Sequence, residues 1–411
     1  MSDHTLIGPF TQLLPMTDLP LKGALRDEQL VIIENGGILV SEGNIVAVDA
    51  FDVLKSKATI IHKIEGEAVC LPGFIDAHTH ICFGGSRARD YALRNSGKTY
   101  LEIAKAGGGI WDTVTQTRMA SLEELAEGVV SRSQIHLMNG VTTLEVKSGY
   151  GLSVEEELKM LRAIKKANSK RALDLVSTCL AAHMRPKDWD SDTPYLEEMA
   201  NTLFPILKSE KLANRIDAFI EESAFSSKEI APYFQKAKDL GFDITVHADQ
   251  FTTGGSEVAV QFGAISADHL EASTEKEIQL LAQSDTIAMA LPGASLGLGC
   301  DFTPARKILD AGGALAIASD HNPGSAPMGD LLTQASILGA FEKLSNAEVI
   351  AGITSRAAAA LNVSDRGRLA PNTIADFVVF PVDNYQEITY HQGQVKPISV
   401  WKKGESIYQM H

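Results

Sequence analysis

The sequence of 411 residues is poor in cysteine and in positive charge. Its four cysteines, Cys70, Cys82, Cys179 and Cys300, form no CxxC pair, which argues against a disulfide framework or a thiolate zinc site. Lysine and arginine total 37 against 52 aspartates and glutamates, a formal net charge of −15. Nucleic acid or an anionic membrane surface is therefore not an expected partner, and an anionic substrate would need a local cation.

Long apolar runs are also missing. No uninterrupted run reaches the length of a transmembrane helix, and the start of the chain, MSDHTLIGPF, has no basic segment followed by an apolar one. We therefore expect a cytoplasmic protein. Hydrophobic residues make up 45% of the chain, which is enough to bury a large core in one big domain with a smaller one beside it.

The two ends of the chain share a β-rich pattern. The segment GGILVSEGNIVAVDA near the start and the segments GRLAPNTIADFVVFPVDN and ISVWKKGESIY near the end show short apolar stretches separated by turn residues. We predict that residues 1–70 and 367–411 together form a small β-sandwich domain.

Between these ends, residues 71–366 alternate short apolar runs with stretches of helical periodicity. In SVEEELKMLRAIKKANS, Leu158, Leu161 and Ile164 share one helix face behind the N-cap Ser153, and STEKEIQLLAQS repeats the pattern with Ser273. A doubly wound open sheet would show this alternation too, but the number of runs favours an α/β fold of the (β/α)8 TIM-barrel type. The eight runs are PGFIDAHTH, TTLEVKSGY, LDLVSTCLAAH, IDAFIEES, FDITVHAD, AISADHL, TIAMALPG and ALAIASDHN.

One connection in this series is unusually long. Residues 83–120 exceed an ordinary connection between a strand and a helix, and they contain the glycine run Gly107 to Gly109. No strand precedes that run and it matches neither phosphate-loop pattern, so it is not a nucleotide site. We predict that this insertion is a lid over the active site.

Polar residues cluster at the ends of the apolar runs. In a barrel the carboxyl ends of the strands converge on one mouth, where active sites are built. Of the 11 histidines in the chain, several end such runs, a coincidence that a set of unrelated surface histidines does not explain. The residues at these ends are His78, His80, Lys147, Tyr150, His183, His247, His269 and Asp320.

Two of these histidines form the motif HxH. Residues i and i+2 of a strand face the same side, so His78 and His80 can hold one ion. With His247 and Asp320 added, the set offers three nitrogens and a carboxylate, which suit zinc or iron and leave a position for water. Such an ion makes hydroxide available at neutral pH.

The motifs resemble those of the amidohydrolase superfamily over nearly the whole chain. PGFIDAHTH and SDHNPGS are typical of the superfamily, and AAHMRP, VHADQ and SADHL fit it as well. GGSR, EVKSGYG and NPGS are typical of a branch that acts in histidine degradation. The resemblance implies hydrolysis of the cyclic amide C–N bond of 4-imidazolone-5-propanoate to N-formimidoyl-L-glutamate, with one zinc or iron ion per subunit and a homodimeric assembly.

The resemblance also implies roles for individual residues. Asp320 would accept a proton from the attacking water and deliver it to the departing ring nitrogen, and His269 would orient that water. Arg87 would bind the propionate, because a guanidinium matches carboxylate geometry. The remaining substrate contacts would be Tyr150, His183, Gln250, Asn322, Gly324 and Ser325.

Gln250 departs from the family pattern. An acid is common at this position, in HADE, whereas this chain has HADQ. An amide cannot transfer a proton, but it can donate to a ring carbonyl or accept from a ring N–H. We therefore expect Gln250 to contact the substrate and leave proton transfer to Asp320 and His269.

Two alternatives remain open at this point. A hydantoinase-like or cytosine-deaminase-like hydrolase would share the metal ligands without needing Arg87. A metal-binding scaffold without activity would need neither Asp320 nor His269 beside an open coordination position.

Overall fold

The computed structural model describes residues 3–98, 102, 106–169, 173–222 and 224–410. The N-terminal segment is rich in strands, as predicted, and contains a short 3-10 helix at Asp27–Gln29 and helix α1 at Phe51–Lys55. Its strands are β1 Thr5–Leu13, β2 Ile33–Ser41, β3 Asn44–Ala50, β4 Ile60–Lys63 and β5 Val69–Pro72. Strand β1 is at the centre, because it pairs antiparallel with β2 and parallel with β4 and β5.

Each of the eight predicted runs overlaps one strand of a parallel sheet. The strands are β6 Phe74–Asp76, β7 Val141–Lys147, β8 Asp174–Ala182, β9 Arg215–Phe219, β10 Asp243–Ala248, β11 Ser266–His269, β12 Ile287–Ala290 and β13 Leu315–Ile317. Neighbours in the chain are neighbours in the sheet, from β6 to β13.

Backbone contacts beyond β6 and β13 close this sheet into a barrel. The N–H of Asp320 donates to the carbonyl of His78 (3.0 Å), and the N–H of His80 donates to the carbonyl of His321 (2.9 Å). The predicted (β/α)8 barrel is confirmed. The closing hydrogen bonds lie at the carboxyl ends of the strands, so the closure itself brings the first run beside the last.

The C-terminal segment returns to the N-terminal one. Its strands are β14 Phe377–Phe380, β15 Ser399–Lys402 and β16 Glu405–Gln409. β14 pairs antiparallel with β5, which joins both ends of the chain in one mixed sheet. The predicted small β domain shared by the two ends is therefore confirmed. For the domains we propose the predicted boundaries 1–70, 71–366 and 367–411 with the first one moved to residue 73, because β5 pairs in the terminal sheet as far as Pro72 and β6 pairs in the barrel from Phe74.

Helices pack against the strands of the barrel. Their bounds are α2 Ala88–Asn95, α3 Ile110–Met119, α4 Leu122–Met138, α5 Val154–Asn168, α6 Asp192–Glu198, the π-helix Met199–Leu203, α7 Phe204–Glu210, α8 Ser227–Asp239, α9 Gly255–Phe262, α10 Glu275–Ala282, α11 Pro292–Leu298, α12 Ala305–Asp310, α13 Leu331–Glu342, α14 Asn346–Gly352, α15 Ser355–Ala360 and α16 Gln386–Tyr390. Within the described residues, none of the helices has both the length and the apolar character needed to cross a membrane.

The helix starts test the predicted N-caps. Ser153 accepts from the backbone N–H of Glu156, as predicted. Ser273 does not cap α10, because its hydroxyl donates to Asp249 at 2.8 Å. Thr274 caps that helix instead, with Glu277 bonding back to the N–H of Thr274. The N-cap of α10 therefore lies one position further along than the sequence suggested.

Candidate active site

The four residues predicted as metal ligands meet at the mouth of the barrel. Nε2 of His80 lies 3.2 Å from Nε2 of both His78 and His247. Oδ1 of Asp320 lies 3.6 Å from Nε2 of His78 and 3.4 Å from Nε2 of His80. None of the four residues exposes more than 3% of its surface. The ligand atoms are thus close enough to share one ion.

Two buried carboxylates set the orientation of the histidine rings. Oδ2 of Asp268 lies 2.7 Å from Nδ1 of His78, and Oδ2 of Asp217 lies 2.9 Å from Nδ1 of His247. A carboxylate beside Nδ1 favours the tautomer with the proton on that atom, which leaves Nε2 with a lone pair. Lone pairs that face each other at 3.2 Å repel, so the donor set fits a cation placed among them.

The protonation of the rings agrees with this arrangement. Burial lowers the pKa of His247 to about 4, although Asp217 opposes that shift. Burial and the nearby charge of Lys147 hold the pKa of His78 well below its usual value. Both rings are therefore neutral at pH 7, and the neutral imidazole is the form that binds a metal.

His269 lies beside the cluster on a strained backbone. Its φ angle is +89°, and that of Leu270 is +74°, in a region that residues other than glycine rarely adopt. Its ring can join His78 and His247 in a second group of three, with ligand atoms within 4.8 Å of one another. Burial lowers the pKa of His269, but Glu271 and Asp320 outweigh burial and raise it overall.

Asp320 combines burial with a left-handed backbone, at a φ of +50°. Burial raises its pKa to about 7, while His269 and Asn322 oppose the shift. A carboxyl group with a pKa near neutrality can both accept and release a proton.

Tyr150 and His183 form one wall of the mouth. The ring of His183 stacks on His80 at 5.6 Å between centroids, and Tyr150 lies 5.5 Å from His183. The carbonyl of Gly149 lies 3.0 Å from Nδ1 of His183, so the proton sits on that nitrogen. Burial lowers the pKa of His183 to about 4. Its Nε2 is consequently a hydrogen-bond acceptor.

A second wall joins Arg87 to the turn at residues 322–325. Oδ1 of Asn322 accepts from the N–H groups of Gly324 and Ser325, each at 2.8 Å. Nδ2 of Asn322 donates to the carbonyl of Asp320 at 2.7 Å, so the turn is fastened to a proposed ligand. A Cβ built on Gly324 would lie 3.6 Å from Nη1 of Arg87, which shows how closely the two adjoin.

Gln250 lies two positions beyond Ala248, the end of β10, and is half-buried. Its neighbour Asp249 has a structural role, because it accepts from the N–H of Ser256 at 3.2 Å and from the hydroxyl of Ser273 at 2.8 Å. Asp249 is thus engaged within the fold, and the substrate contact of Gln250 stays a prediction.

Comparison with known proteins identifies the family. The family model described as "Amidohydrolase family" matches residues 69–407. The chain belongs to the amidohydrolase family. This amidohydrolase is 39% identical to an imidazolonepropionase of Bacillus cytotoxicus over 94% of its own length and 93% of the relative. It is 37% identical to an imidazolonepropionase of Bdellovibrio bacteriovorus over 95% of both chains. The family and the branch predicted from the motifs are confirmed.

Solved structures of hydrolases share the fold of this amidohydrolase. An adenosine deaminase from Xanthomonas campestris with bound zinc is 19% identical, with a TM-score of 0.70 over 98% of this chain and 92% of that one. An atrazine chlorohydrolase from Arthrobacter aurescens complexed with zinc is 15% identical, with a TM-score of 0.70 over 98% and 94%.

A charged network that the sequence patterns did not indicate lies beneath the proposed metal ligands of this amidohydrolase. Nζ of Lys147 lies 2.8 Å from Glu145, 2.9 Å from Asp217 and 3.8 Å from Asp268. Burial alone would lower the pKa of Lys147, but Asp217 and Glu145 raise it, so the ammonium stays charged. The acidic residues inside apolar runs, as in IDAF and SADHL, are the sequence feature that could have indicated this network.

Proposed function

We propose that this chain hydrolyses the cyclic amide C–N bond of 4-imidazolone-5-propanoate and releases N-formimidoyl-L-glutamate, as a step of histidine degradation. The observation that carries the proposal is the placement of Arg87 at the mouth, beside the turn that holds Asp320. A cation beside the turn that is bonded to Asp320 suits a substrate whose reacting ring carries a short carboxylate tail. The full-length similarity to imidazolonepropionases supports the same substrate.

The proposed cofactor is one zinc or iron ion per subunit. His78, His80, His247 and Asp320 would hold it, and the carboxylates of Asp268 and Asp217 support the rings of His78 and His247. When bound, such an ion lowers the pKa of a coordinated water to about 7 and polarises a carbonyl group. Nitrogen and carboxylate ligands suit both metals, and zinc is present in two hydrolases of the same fold.

The proton transfers are assigned to Asp320, and the stabilisation of negative charge is assigned to His269. Asp320 accepts a proton from the water that attacks the ring carbonyl carbon, and later delivers it to the ring nitrogen as the C–N bond breaks. His269, whose pKa is raised by Glu271 after the opposing effect of burial, donates a hydrogen bond to the developing negative charge on the carbonyl oxygen. One water is consumed, and the ring opens to an amidine nitrogen and a carboxylate.

The substrate is held by the two walls of the mouth. Arg87 binds the propionate, and Nε2 of His183 accepts from a ring N–H, while Tyr150 and Gln250 donate to the ring or its oxygen. Asn322 has already bonded its amide within the turn, so it positions Gly324 and Ser325, which close the pocket. We propose that the insertion 83–120 covers this pocket as a lid; residues 99–101 and 103–105 of the insertion lie outside the described residues.

The experiment is the ring-opening rate of freshly prepared 4-imidazolone-5-propanoate. A sample loaded with zinc or iron is compared with a chelated sample, which also measures spontaneous decay. Metal-dependent formation of N-formimidoyl-L-glutamate is the expected result. Equal rates in both samples would refute the proposed substrate. Metal analysis of the active sample tests the stoichiometry of one ion per subunit, and its elution in size-exclusion chromatography tests the predicted homodimer.

A further inference from the structure

The guanidinium of Arg87 is already held on two sides by the insertion. Its Nε donates to Oδ2 of Asp90, and its Nη1 donates to the hydroxyl of Thr113 at 3.3 Å. The side chain of Arg87 is only 12% exposed. These two contacts use one N–H of Nε and one of Nη1, so the second N–H of Nη1 and those of Nη2 are left for a second carboxylate.

The carboxylate of Asp90 has a second partner. Oδ2 of Asp90 also accepts from the backbone N–H of Gly109 at 2.8 Å. Gly109 has a φ of +82°, which a residue with a side chain rarely adopts. Gly109 is the N-cap of α3, and Thr113 lies in the first turns of that helix. A single carboxylate oxygen thus joins Arg87 to the start of α3.

The two side chains that hold Arg87 are buried. Asp90 is 6% exposed and Thr113 is 2% exposed, so neither is a mobile surface group. A buried carboxylate needs its hydrogen bonds, because leaving it without partners costs free energy. Asp90 therefore keeps the guanidinium in one orientation, although its own negative charge opposes the approach of an anionic substrate.

We propose that Asp90 is a positioning residue for the carboxylate tail of the substrate, acting through Arg87 and the turn at Gly109. The inference rests on the proposed function, because it presumes that Arg87 binds that tail. A fixed guanidinium loses little conformational freedom when the substrate binds, so the net gain from orientation exceeds the electrostatic cost of the extra negative charge. Thr113 provides the second anchor of the same group.

The test uses the metal-loaded enzyme and two substrates, 4-imidazolone-5-propanoate and its neutral propanamide analogue. The variant Asp90→Ala removes both contacts, and we expect the ratio of kcat/KM for the acid over the amide to fall about tenfold, the effect of one charge-assisted hydrogen bond. Asp90→Asn keeps an oxygen acceptor, so its ratio should lie between that of Asp90→Ala and that of the unmodified enzyme. Asp310→Asn is the matched control, since Asp310 bonds Arg306 within α12 at 2.8 Å.

The outcomes separate orientation from charge. If Asp90 mainly repelled the substrate, Asp90→Ala would raise the ratio, and that result or an unchanged ratio overturns the inference. If the thermal melt shows that Asp90→Ala does not fold, the variant Thr113→Val takes its place. We expect Thr113→Val to lower the ratio of kcat/KM for the acid over the amide about threefold, and an unchanged ratio would overturn the inference. Failure of the proposed function is distinguishable, because the unmodified enzyme would then show no metal-dependent hydrolysis of the acid.

Discussion

Nζ of Lys147 lies 2.9 Å from Oδ2 of Asp217 inside the barrel, and neither side chain has any exposure to solvent. The same ammonium lies 3.8 Å from Asp268. Asp217 and Asp268 are the carboxylates beside His247 and His78. Burial alone would raise the pKa of Asp217, but His247 and the charge of Lys147 hold it well below its usual value.

The variant Lys147→Met should lose both stability and metal. Removing one partner of a buried ion pair leaves the other charge uncompensated, so we expect unfolding to become easier by about 3–5 kcal/mol. Urea unfolding and metal analysis of the purified protein measure the two effects. Lys166→Met is the control, because Lys166 pairs with Glu123 at an exposed site and should change stability by less than about 1 kcal/mol. Full metal content in Lys147→Met would contradict the assigned role.

The variant Asp320→Asn tests proton transfer. An amide still offers an oxygen to a metal but cannot accept the proton, so we expect kcat to fall about 10²–10⁴-fold with metal still bound. Steady-state kinetics and metal analysis of the same sample separate the two functions. Asp285→Asn, at a solvent-exposed position paired with Lys22, serves as the control. Undiminished turnover in Asp320→Asn would exclude Asp320 as the proton carrier.

The variant Arg87→Ala tests the substrate class. Loss of a charge-assisted contact to the carboxylate should raise KM for 4-imidazolone-5-propanoate about 30–100-fold, with a much smaller effect on the neutral propanamide. Arg89→Ala is the control, since Arg89 lies two residues further along, in α2, and is exposed. A hydantoinase-like or deaminase-like hydrolase would show no dependence on Arg87 with its own substrate. Equal KM values of Arg87→Ala and the unmodified protein for 4-imidazolone-5-propanoate would favour that alternative.

The contact between the barrel and the terminal sheet should depend on pH. Asp174, at the start of β8, lies 2.7 Å from Nζ of Lys402 in β15 and 2.6 Å from Nη1 of Arg366. Burial alone would raise the pKa of Asp174, but these cations hold it below its usual value of 3.8. A depressed folded pKa adds stability above the unfolded pKa, and that stability is lost as pH falls through the folded pKa.

Asp174→Asn should therefore be less stable than the unmodified protein at pH 7, and the difference should shrink below about pH 4. Urea unfolding at both pH values measures it. Asp285→Asn, whose carboxylate is exposed, should show no such convergence. A stability difference between Asp174→Asn and the unmodified protein that stays constant down to pH 3 would disprove the assigned electrostatic origin.

The sequence by itself determined the barrel and the position of the proposed ligands along the chain. Alternation in a strand is a local property, so PGFIDAHTH already indicates that His78 and His80 share one side. Eight runs were enough for the fold, because each buried parallel strand carries its own apolar signal. Helix caps were less certain, and Thr274 rather than Ser273 caps α10 because Asp249 takes the serine hydroxyl.

The tertiary structure alone decided which acids support the histidines and what holds Arg87. Asp268 and His78 are separated by 190 positions in the sequence, and no local pattern encodes a partner at that distance. Asp90 lies three residues from Arg87, yet its contact with Gly109 depends on how the insertion folds back. A buried charge needs a partner. Barrel closure and packing, rather than local periodicity, decide which residue becomes that partner.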